Sequence, residues 1–382
     1  MAEAEPHSVS TAAVPDGSLL QRMRRMAQLA LPLNASVAVV GPVSDEQLQL
    51  AKPRTVRFPR EPAALDAADR KLVSELERLR AEGIRYLMVP ATSLDWLESR
   101  GKLRAHVHDS CRLVVDEPET ARLFALRDVE DHADRWRDLD GLPLPPIEMM
   151  RLTSGRFERP GEEVGPAYHE LGRRAVGWIT GVLEGQGRDI AEFRAVFDFG
   201  CGCGRVIRHW KSVEGPDFHG SDFNGYLIGW AVENLPFARF TVNGDGPPLA
   251  YTDESFDLIY ALSVFTHFVE PVQRAWAAEL SRVLEPGGLL VITTHGADAI
   301  AALEPEGRKR FEELQGPQKF DAGDLVVIRP ELAGSNACAA FHPRGYVERV
   351  LAPAADCEVL DFVPLGAVDA HQDVFVLEKS SA

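Results

Sequence analysis

The sequence predicts an α/β protein in which a smaller domain is followed by a larger one. Short apolar stretches of strand character alternate with amphipathic helical stretches over residues 36–127, and again from residue 166 onward. Residues 128–165 lie between the two series, are rich in Asp, Arg and Pro, and are predicted to be a linker. The chain has 382 residues, 45% apolar and 26% charged, which is long enough for both domains and typical of globular proteins.

The smaller α/β domain is predicted over residues 36–127. It is expected to contain strands at 37–41, at 55–58 and from Tyr86 onward, a helix at 66–82, a second helix after the third strand, and a closing strand pair at 111–115 and 121–127. None of its residues suggests catalytic chemistry. Residues 1–35 are predicted to be disordered apart from a short helix at 19–31 that carries three arginines. Packing is the simpler interpretation of that helix, and a membrane surface is the alternative.

The larger domain, residues 166–382, is predicted to open with a helix and to continue with seven strands. Apolar residues share one face of the helix at 166–184, and its residues Tyr168 and His169 are expected to reach the functional site. The strands are predicted at 195–199, at 218–222, just before Asn243, and at 255–263, 285–294, 357–362 and 373–377. Further helices are predicted at 270–284, 298–303, 305–315 and 343–351.

The first of these strands runs into a loop with glycine at every second position, namely Gly200, Gly202 and Gly204. Glycine permits sharp turns and lets a ligand reach the main chain where a Cβ would collide. A helix is predicted directly after the loop, with free N–H groups directed at the same point. The spacing differs from the dinucleotide pattern G-x-G-x-x-G, because Arg205 stands at the third glycine position. A turn without a ligand is the alternative for this loop considered alone.

The acid-x-Gly-x-Gly-x-Gly sequence from Asp198 to Gly204 resembles the first motif of the class I S-adenosylmethionine (SAM) methyltransferases. Later segments agree with that family in order and spacing. Residues 218–222 form a second strand ending in an acid, residues 243–251 match the third motif, and the fourth strand ends at Ser263. The resemblance implies a Rossmann-like, seven-stranded core with SAM as its cofactor.

The resemblance also implies which residues contact the cofactor. The three loop glycines, Asp198 and Ser263 are expected to form the pocket. Asp222 is expected to accept both ribose hydroxyls, as an acid about 20 residues beyond a Gly-rich turn does in nucleotide-binding folds. Asp245 is expected to receive the adenine amino group. The family joins strands five and six by one helix, so residues 297–342 are an insertion, expected to form a lid over the substrate.

Histidines supply the candidate base. Methyl transfer depends mainly on orientation in a closed site, and only a hydroxyl or ammonium acceptor requires a base. His295 and His267 are the leading catalytic candidates, because each follows a strand at the carboxyl edge of the sheet. His342 and His371 are further candidates, and a structural role is the alternative for each histidine. No metal site is expected, since no ligand spacing supports one.

Charge and cysteine content limit the class of protein. The net charge of −17 argues against nucleic acid as a partner, because phosphate binding depends on clustered Lys and Arg. The polar, acidic start of the chain does not resemble a signal peptide, and no apolar run reaches the length of a spanning helix. Stable membrane insertion is therefore not expected, and a cytoplasmic location is predicted. The five cysteines are scattered, and Cys201 and Cys203 are expected to be reduced thiols.

The sequence therefore predicts a SAM-dependent methyltransferase acting on an oxygen of a sugar or glycan-like small molecule. The acceptor class rests on residues 89–96 and 112–126, which resemble an α/β module found beside glycosyltransferase and methyltransferase domains in bacterial polysaccharide biosynthesis proteins. The alternatives are N- or C-methylation of a natural product, and a SAM-binding scaffold without catalysis. A homo-oligomer, or a biosynthetic partner held by the smaller domain, is the expected protein contact.

Overall fold

A computed structural model describes residues 17–31, 35–41, 54–126, 141–153, 164–334, 338–367 and 371–381. The chain divides into two units, residues 1–132 and 133–382. The disorder predicted for the start of the chain lies outside the described residues. Within the described ranges, no helix combines the length and the apolar character that crossing a bilayer requires.

The first unit is built on a mixed sheet. Its described strands are β1 Ser36–Val40, β2 Arg54–Phe58, β3 Tyr86–Pro90, β4 Cys111–Glu117 and β5 Ala121–Leu126, and its helices are α1 Gly17–Ala30, α2 Asp69–Ala81, α3 Leu94–Ser99 and α4 Gly101–Ser110. The strand order is β2-β1-β3-β5-β4. β1 lies parallel to β2 and β3, whereas β5 is antiparallel to β3 and β4. The apolar runs of β1 and β3 are buried in the middle of the sheet.

Two features of the first unit follow from local contacts. The helix predicted at 66–82 begins later, at Asp69, because Pro62–Asp66 forms a separate 3₁₀ turn. Trp96 is 4% exposed, its Nε1 donates to the carbonyl oxygen of Leu65 at 3.0 Å, and its ring packs edge-on against Phe58. Trp96 is therefore a core residue of this unit.

The second unit contains the predicted sheet of seven strands. The strands are β6 Ala195–Phe199, β7 Asp217–Asp222, β8 Arg239–Val242, β9 Phe256–Ala261, β10 Leu284–Thr294, β13 Cys357–Ala367 and β14 Gln372–Lys379, with a separate pair of β11 Val326–Ile328 and β12 Ala339–Phe341. The order in the large sheet is β13-β14-β10-β9-β6-β7-β8. β6 to β10 are parallel, and β14 runs antiparallel between β10 and β13. The order reverses at β6, whose neighbours are β7 and β9, and such a switch point leaves a crevice at the carboxyl ends of the strands.

Helices cover both faces of this sheet, because its buried strands are apolar on both sides. Alternate residues of β6 belong to different cores, with Val196 on one face and Phe197 on the other. Helix α6, Val164–Gly185, packs Ile179 and Leu183 on the first face. Helix α8, Glu270–Val283, packs Trp276 and Leu280 on the second. The remaining helices are α5 Ile147–Thr153, α7 Gly225–Asn234, α9 Ala297–Ala301, α10 Pro305–Glu313 and α11 Gly316–Asp321, and a helical segment runs from Arg344 to Ala354 with a π-helical turn at Val347–Leu351.

The linker prediction for residues 128–165 is wrong over residues 141–153, which pack as part of the second unit. Helix α5 lies here, and its residues Met149 and Met150 are buried in a cluster with Tyr168 and Leu227. The apolar side chains of this proline-rich stretch give it a surface to bury, so it does not extend into solvent. The described part of the predicted linker therefore lies beside the glycine-rich loop.

The helix predicted directly after the glycine-rich loop is also wrong. The structure has a short 3₁₀ turn there, Ile207–Trp210. Gly215 and Pro216 follow within a few residues and lead into β7, so the segment has room for little more than one turn. Ile207 and Trp210 are buried, and their apolar pattern reflects packing on the sheet.

The insertion at 297–342 has an apolar cluster of its own. Phe311, Val326, Ile328 and Phe341 pack together with Ala299. The predicted helical stretches are confirmed as α9 and α10, and the structure adds α11 and the antiparallel pair of β11 and β12. An isolated parallel bridge joins His295 to Phe341, and the backbone N–H of His342 donates to the carbonyl oxygen of His295 at 2.8 Å. The insertion is thus attached to the carboxyl end of β10.

Gly172 of α6 allows this helix to touch the end of the glycine-rich loop. A Cβ at Gly172 would overlap the carbonyl oxygen of Arg205 and approach Nε2 of His209 to 2.6 Å. We expect Gly172→Ala to destabilise the protein by about 1–3 kcal/mol through overpacking. Gly181→Ala on the same helix is the matched control, because a Cβ there meets open space, and it is expected to gain roughly 0.5–1 kcal/mol. Equal urea-unfolding midpoints for the two variants would contradict the packing assigned to Gly172.

Candidate active site

The glycine-rich loop follows β6 in a conformation that only glycine adopts easily. Gly200, Gly202 and Gly204 have φ values of 79°, 57° and 78°. A Cβ at Gly202 would lie 2.7 Å from Cγ2 of Thr153 in α5, and one at Gly200 would overlap Cγ2 of Val264. The space beside these glycines is therefore filled by protein side chains. The absence of a Cβ at these glycines therefore allows α5 and the segment after β9 to pack against the loop. It also permits the sharp turn predicted from the sequence.

Asp222 holds the loop from the end of β7. Its Oδ2 accepts a hydrogen bond from the backbone N–H of Gly202 at 3.0 Å, and its Oδ1 accepts from the N–H of Asn224 at 2.9 Å. Asn224 in turn caps α7, with its side-chain oxygen accepting from the N–H of Tyr226 at 3.1 Å. Because a carboxylate can accept about four hydrogen bonds, Asp222 keeps capacity for a ligand's hydroxyl groups.

A second buried carboxyl, Asp198, lies close to Asp222. Asp198 is 3% exposed, and its Oδ2 has no hydrogen-bond partner among the described residues. Burial raises the pKa of Asp198 to about 7, an effect opposed by the charge of Arg205 and by Tyr260 and reinforced by Asp222. Burial likewise raises the pKa of Asp222 to about 6. Two neighbouring buried carboxyls would both ionise more readily beside a cation, so the loop suits a ligand that carries positive charge and hydroxyl groups.

Asp245 and Ser263 lie at the same edge of the sheet. Asp245 is exposed in the loop after β8, and that loop is joined to β7 by the hydrogen bond from the N–H of Asn243 to the carbonyl oxygen of Asp222, at 3.1 Å. Ser263 follows β9 in a left-handed conformation with φ of 59°. Its hydroxyl donates to Oε1 of Gln372 at 3.0 Å. The side chain of Ser263 therefore takes part in a polar network within the protein, and its contact with a cofactor stays a prediction.

Three of the four candidate histidines are close together. His267 lies in the 3₁₀ turn Phe265–His267 after β9, His295 ends β10, and His342 follows β12. His267 affects the pKa of His295 electrostatically, and His295 affects that of His342. Val264, at the start of the turn, packs over Gly200, which places the turn next to the glycine-rich loop. His371 is exposed, and no contact in the described part of the chain joins it to this cluster.

Burial keeps these three imidazoles neutral. It lowers the pKa of His267, lowers that of His295 to about 4, and lowers that of His342 to about 3, with the neighbouring histidine adding to the effect in the last two cases. A neutral imidazole at neutral pH can accept a proton. The cluster therefore has the protonation state that a base requires.

The ring nitrogens of the histidines are used differently. His267 Nδ1 lies 2.8 Å from the carbonyl oxygen of Cys338, so Nδ1 carries the proton and donates it. Nε2 of His267 has no hydrogen-bond partner among the described residues. His295 Nε2 faces the amide of Gln372 at 3.3 Å, and His342 Nε2 faces the amide of Gln273 at 2.9 Å. Nδ1 of His295 and Nδ1 of His342 are buried and have no hydrogen-bond partner among the described residues. In His267, Nδ1 donates to Cys338, so Nε2 is the nitrogen left to accept a proton.

Tyr168, which the sequence predicts to reach the functional site, contacts the glycine-rich loop from its buried side. Its side chain is fully buried, and its hydroxyl lies 3.3 Å from Sγ of Cys203 and 3.5 Å from the carbonyl oxygen of Cys203. It therefore supports the glycine-rich loop from behind. His169 packs its ring against that of His209 at 4.6 Å. All five cysteines are buried, and none of them forms a disulfide.

Gln372 and Gln273 were missed by the sequence analysis. Gln273 is fully buried on α8, and its amide donates to the carbonyl oxygens of Phe265 and Phe268 at 3.2 and 2.9 Å, on either side of His267. A glutamine in an amphipathic helix or at the start of a strand carries no distinctive signal. These two glutamines differ from ordinary surface glutamines because their side chains are buried, and burial is known only from the fold.

Comparison with known protein families classifies the second unit. Residues 197–292 match the family described as methyltransferase domain. The chain contains a methyltransferase domain. S-adenosylmethionine is the cofactor of this domain. The buried carboxyls of Asp198 and Asp222 fit its sulfonium and ammonium charges and its ribose hydroxyls, and these two residues with the glycine-rich loop would hold it.

Individual relatives match parts of the chain. It is 26% identical over 165 residues to a malonyl-[acyl-carrier protein] O-methyltransferase of Enterobacter lignolyticus, covering 43% of this chain and 61% of that protein. It is 33% identical over 99 residues to a sterol 24-C-methyltransferase of Gibberella zeae, covering 25% and 26%. A solved SAM-dependent methyltransferase of Methanosarcina mazei has 22% identity and a TM-score of 0.39, covering 50% of this chain and 94% of that one. The chain thus spans less than two thirds of either curated relative.

The two buried carboxyls predict a pH dependence of cofactor binding by the methyltransferase domain. Above pH 7 both Asp198 and Asp222 are ionised and attract the sulfonium of SAM, and below pH 6 both become protonated. We expect the affinity for SAM to fall as the pH is lowered through this range, measured by isothermal titration calorimetry. S-adenosylhomocysteine lacks the sulfonium charge and serves as the control, and its affinity should change less. Equal pH dependence for both ligands would contradict the electrostatic role of the pair.

Proposed function

We propose that this protein is a SAM-dependent methyltransferase that methylates a hydroxyl oxygen of a small organic molecule, with His267 as the base. The single observation that carries the proposal is that Nε2 of His267 has no hydrogen-bond partner in the described part of the chain, on a turn whose Val264 packs over Gly200 of the glycine-rich loop. A hydroxyl acceptor must lose its proton, whereas a preformed carboxylate or an activated carbon requires no such step at the accepting atom.

The chain's own residues suit proton removal from a hydroxyl. When bound, SAM would supply the electrophilic methyl group, and its sulfur–methyl bond would break to leave neutral S-adenosylhomocysteine. Nε2 of His267 takes the proton as the new oxygen–carbon bond forms, which leaves a cationic imidazole. The carbonyl oxygen of Cys338 accepts from Nδ1–H and stabilises that cation. The insertion at 297–342 supplies Cys338, and its attachment at β10 supports the proposal that it covers the acceptor.

The proposed acceptor class is a sugar or glycan-like molecule. Its support is the resemblance of the first unit to modules of polysaccharide biosynthesis proteins. The two relatives differ in the atom that their names give, oxygen in one and carbon in the other. Methylation of carbon is therefore the second candidate, favoured by the 33% identity to the sterol 24-C-methyltransferase over 99 residues.

The test is methyl transfer from isotopically labelled SAM to three panels of acceptors, namely sugars and nucleotide sugars, amines, and sterols or isoprenoid hydroquinones. The proposal expects label on a hydroxyl oxygen, located by mass spectrometry and NMR of the product. Label on carbon or nitrogen, with none on oxygen, would refute the hydroxyl assignment. SAM binding without transfer to any panel member would instead favour the non-catalytic scaffold.

A further inference from the structure

Gln372 lies at the centre of a buried polar network beside the candidate base. It is the first residue of β14 and is 4% exposed. Its side-chain oxygen contacts the hydroxyls of Thr293 and Ser263, and its side-chain nitrogen faces His295. We propose that Gln372 is a positioning residue that holds His295 as a neutral imidazole with its proton on Nδ1, so that His295 cannot act as a second base.

The hydrogen bonds of this network form one consistent set of directions that starts from a backbone group. The N–H of Ser263 can only donate, and it does so to Oγ1 of Thr293 at 2.7 Å. The hydroxyl hydrogen of Thr293 is then free to be donated to Oε1 of Gln372, at 2.6 Å. The Ser263 hydroxyl donates to the same oxygen at 3.0 Å. Two donors thus fix the amide oxygen of Gln372 on this side.

The amide nitrogen of Gln372 must consequently point the other way. It faces Nε2 of His295 at 3.3 Å, and an amide nitrogen can only donate. Nε2 of His295 is therefore the accepting nitrogen, and the single proton of the neutral ring is on Nδ1. Nδ1 of His295 is buried and has no hydrogen-bond partner among the described residues. The contact of Nε2 with Gln372 therefore determines which nitrogen of His295 carries the proton.

The surroundings of His295 agree with a neutral ring. Burial lowers the pKa of His295 to about 4, and His267 lowers it further. The other titratable groups around it are His342, which follows β12, and Asp373, whose carboxyl packs against the Cα of Gly296. The pKa of Asp373 is itself raised, mainly by burial. A charged imidazolium here would lie beside two further histidines, and each protonated neighbour would repel it.

This inference rests on the proposed function for its consequence in catalysis. With Nε2 of His295 occupied, His267 alone can receive the proton of a hydroxyl acceptor. A neutral His295 also leaves the site free of a positive charge that would repel the sulfonium of SAM. Gln372 acts through His295 in both respects and contacts neither reactant.

The experiment replaces Gln372 by glutamate. The carboxylate keeps the shape of the side chain and can still accept from Thr293 and Ser263, but its second oxygen can only accept. In Gln372→Glu, His295 should move its proton to Nε2, and its pKa should rise beside the new negative charge. Full-length protein labelled with ¹⁵N-histidine reports both changes by two-bond ¹H–¹⁵N correlation, and His295→Asn identifies the resonances.

Ser263→Ala and the wild-type protein serve as the two comparisons for Gln372→Glu. Ser263→Ala removes one donor to Gln372 but leaves Thr293, so His295 should stay in the Nδ1–H form. The wild-type spectrum is decisive even where Gln372→Glu does not fold, because an Nε2–H form of His295 in wild type overturns the inference. An unchanged His295 spectrum in folded Gln372→Glu also overturns it. Failure of the proposed function would appear separately, as absence of methyl transfer by wild-type protein with the Nδ1–H form intact.

Discussion

Gly202→Arg is expected to abolish SAM binding. Gly202 has a positive φ of 57°, its N–H binds Asp222, and a Cβ there would press on Thr153 of α5. An arginine would therefore distort the loop, displace α5 and introduce a positive charge beside a cationic ligand. Isothermal titration calorimetry with SAM measures the effect, and we expect no detectable heat of binding.

Gly229→Arg is the matched control for this change. Gly229 is exposed on α7 of the same unit, and a Cβ there meets open space. It receives the same side chain and the same charge without contact to the loop, so its SAM affinity should equal that of wild type. Normal binding by Gly202→Arg, or equal loss in both variants, would refute the assignment of this loop as the cofactor site.

His267→Ala is expected to lower kcat by about 10²–10⁴ while leaving SAM binding intact. The reason is the loss of Nε2 of His267, which is left to accept a proton because Nδ1 donates to Cys338. His267→Gln is the conservative companion, since its amide can still donate to Cys338 but cannot take up a proton. Both variants should show the same loss of kcat. The measurement is turnover with saturating SAM and an acceptor that the wild-type protein methylates.

His295→Asn separates a base from a structural histidine. Nε2 of His295, its accepting nitrogen, is occupied by the amide of Gln372, so replacement of His295 should lower kcat less than replacement of His267. The pH dependence of turnover provides a second measurement, because the acid limb should disappear only when His267 is replaced. Full turnover by His267→Ala would show that the base is another group or that none is needed.

The architecture of the second unit was predictable because its signals are local. Strand and helix periodicities place all seven strands of the sheet, and parallel strands bring their carboxyl ends to one edge. Asp198, Asp222 and His295 could be assigned to that edge because each ends a strand. The spacing of the glycines also predicted the turn between β6 and the segment that follows it.

The hydrogen-bond partners were not predictable, since they come from distant parts of the chain. Ser263 and Gln372 are 109 residues apart, and His267 and Cys338 are 71 residues apart. Their positions in the sequence made His295 and His267 equally good candidates for the base. Only the hydrogen-bond partners of their ring nitrogens distinguish them. The helix predicted after the loop failed for a related reason, because its apolar residues pack on the sheet without room for further turns.

The insertion binds His267 at two points, through the N–H of Gly334 to the carbonyl oxygen of His267 at 2.8 Å and through the carbonyl oxygen of Cys338 to Nδ1. The segment proposed to cover the acceptor therefore also orients His267, the proposed base. Exchanging this segment between homologues to change acceptor preference would alter turnover at the same time, unless both backbone contacts were rebuilt.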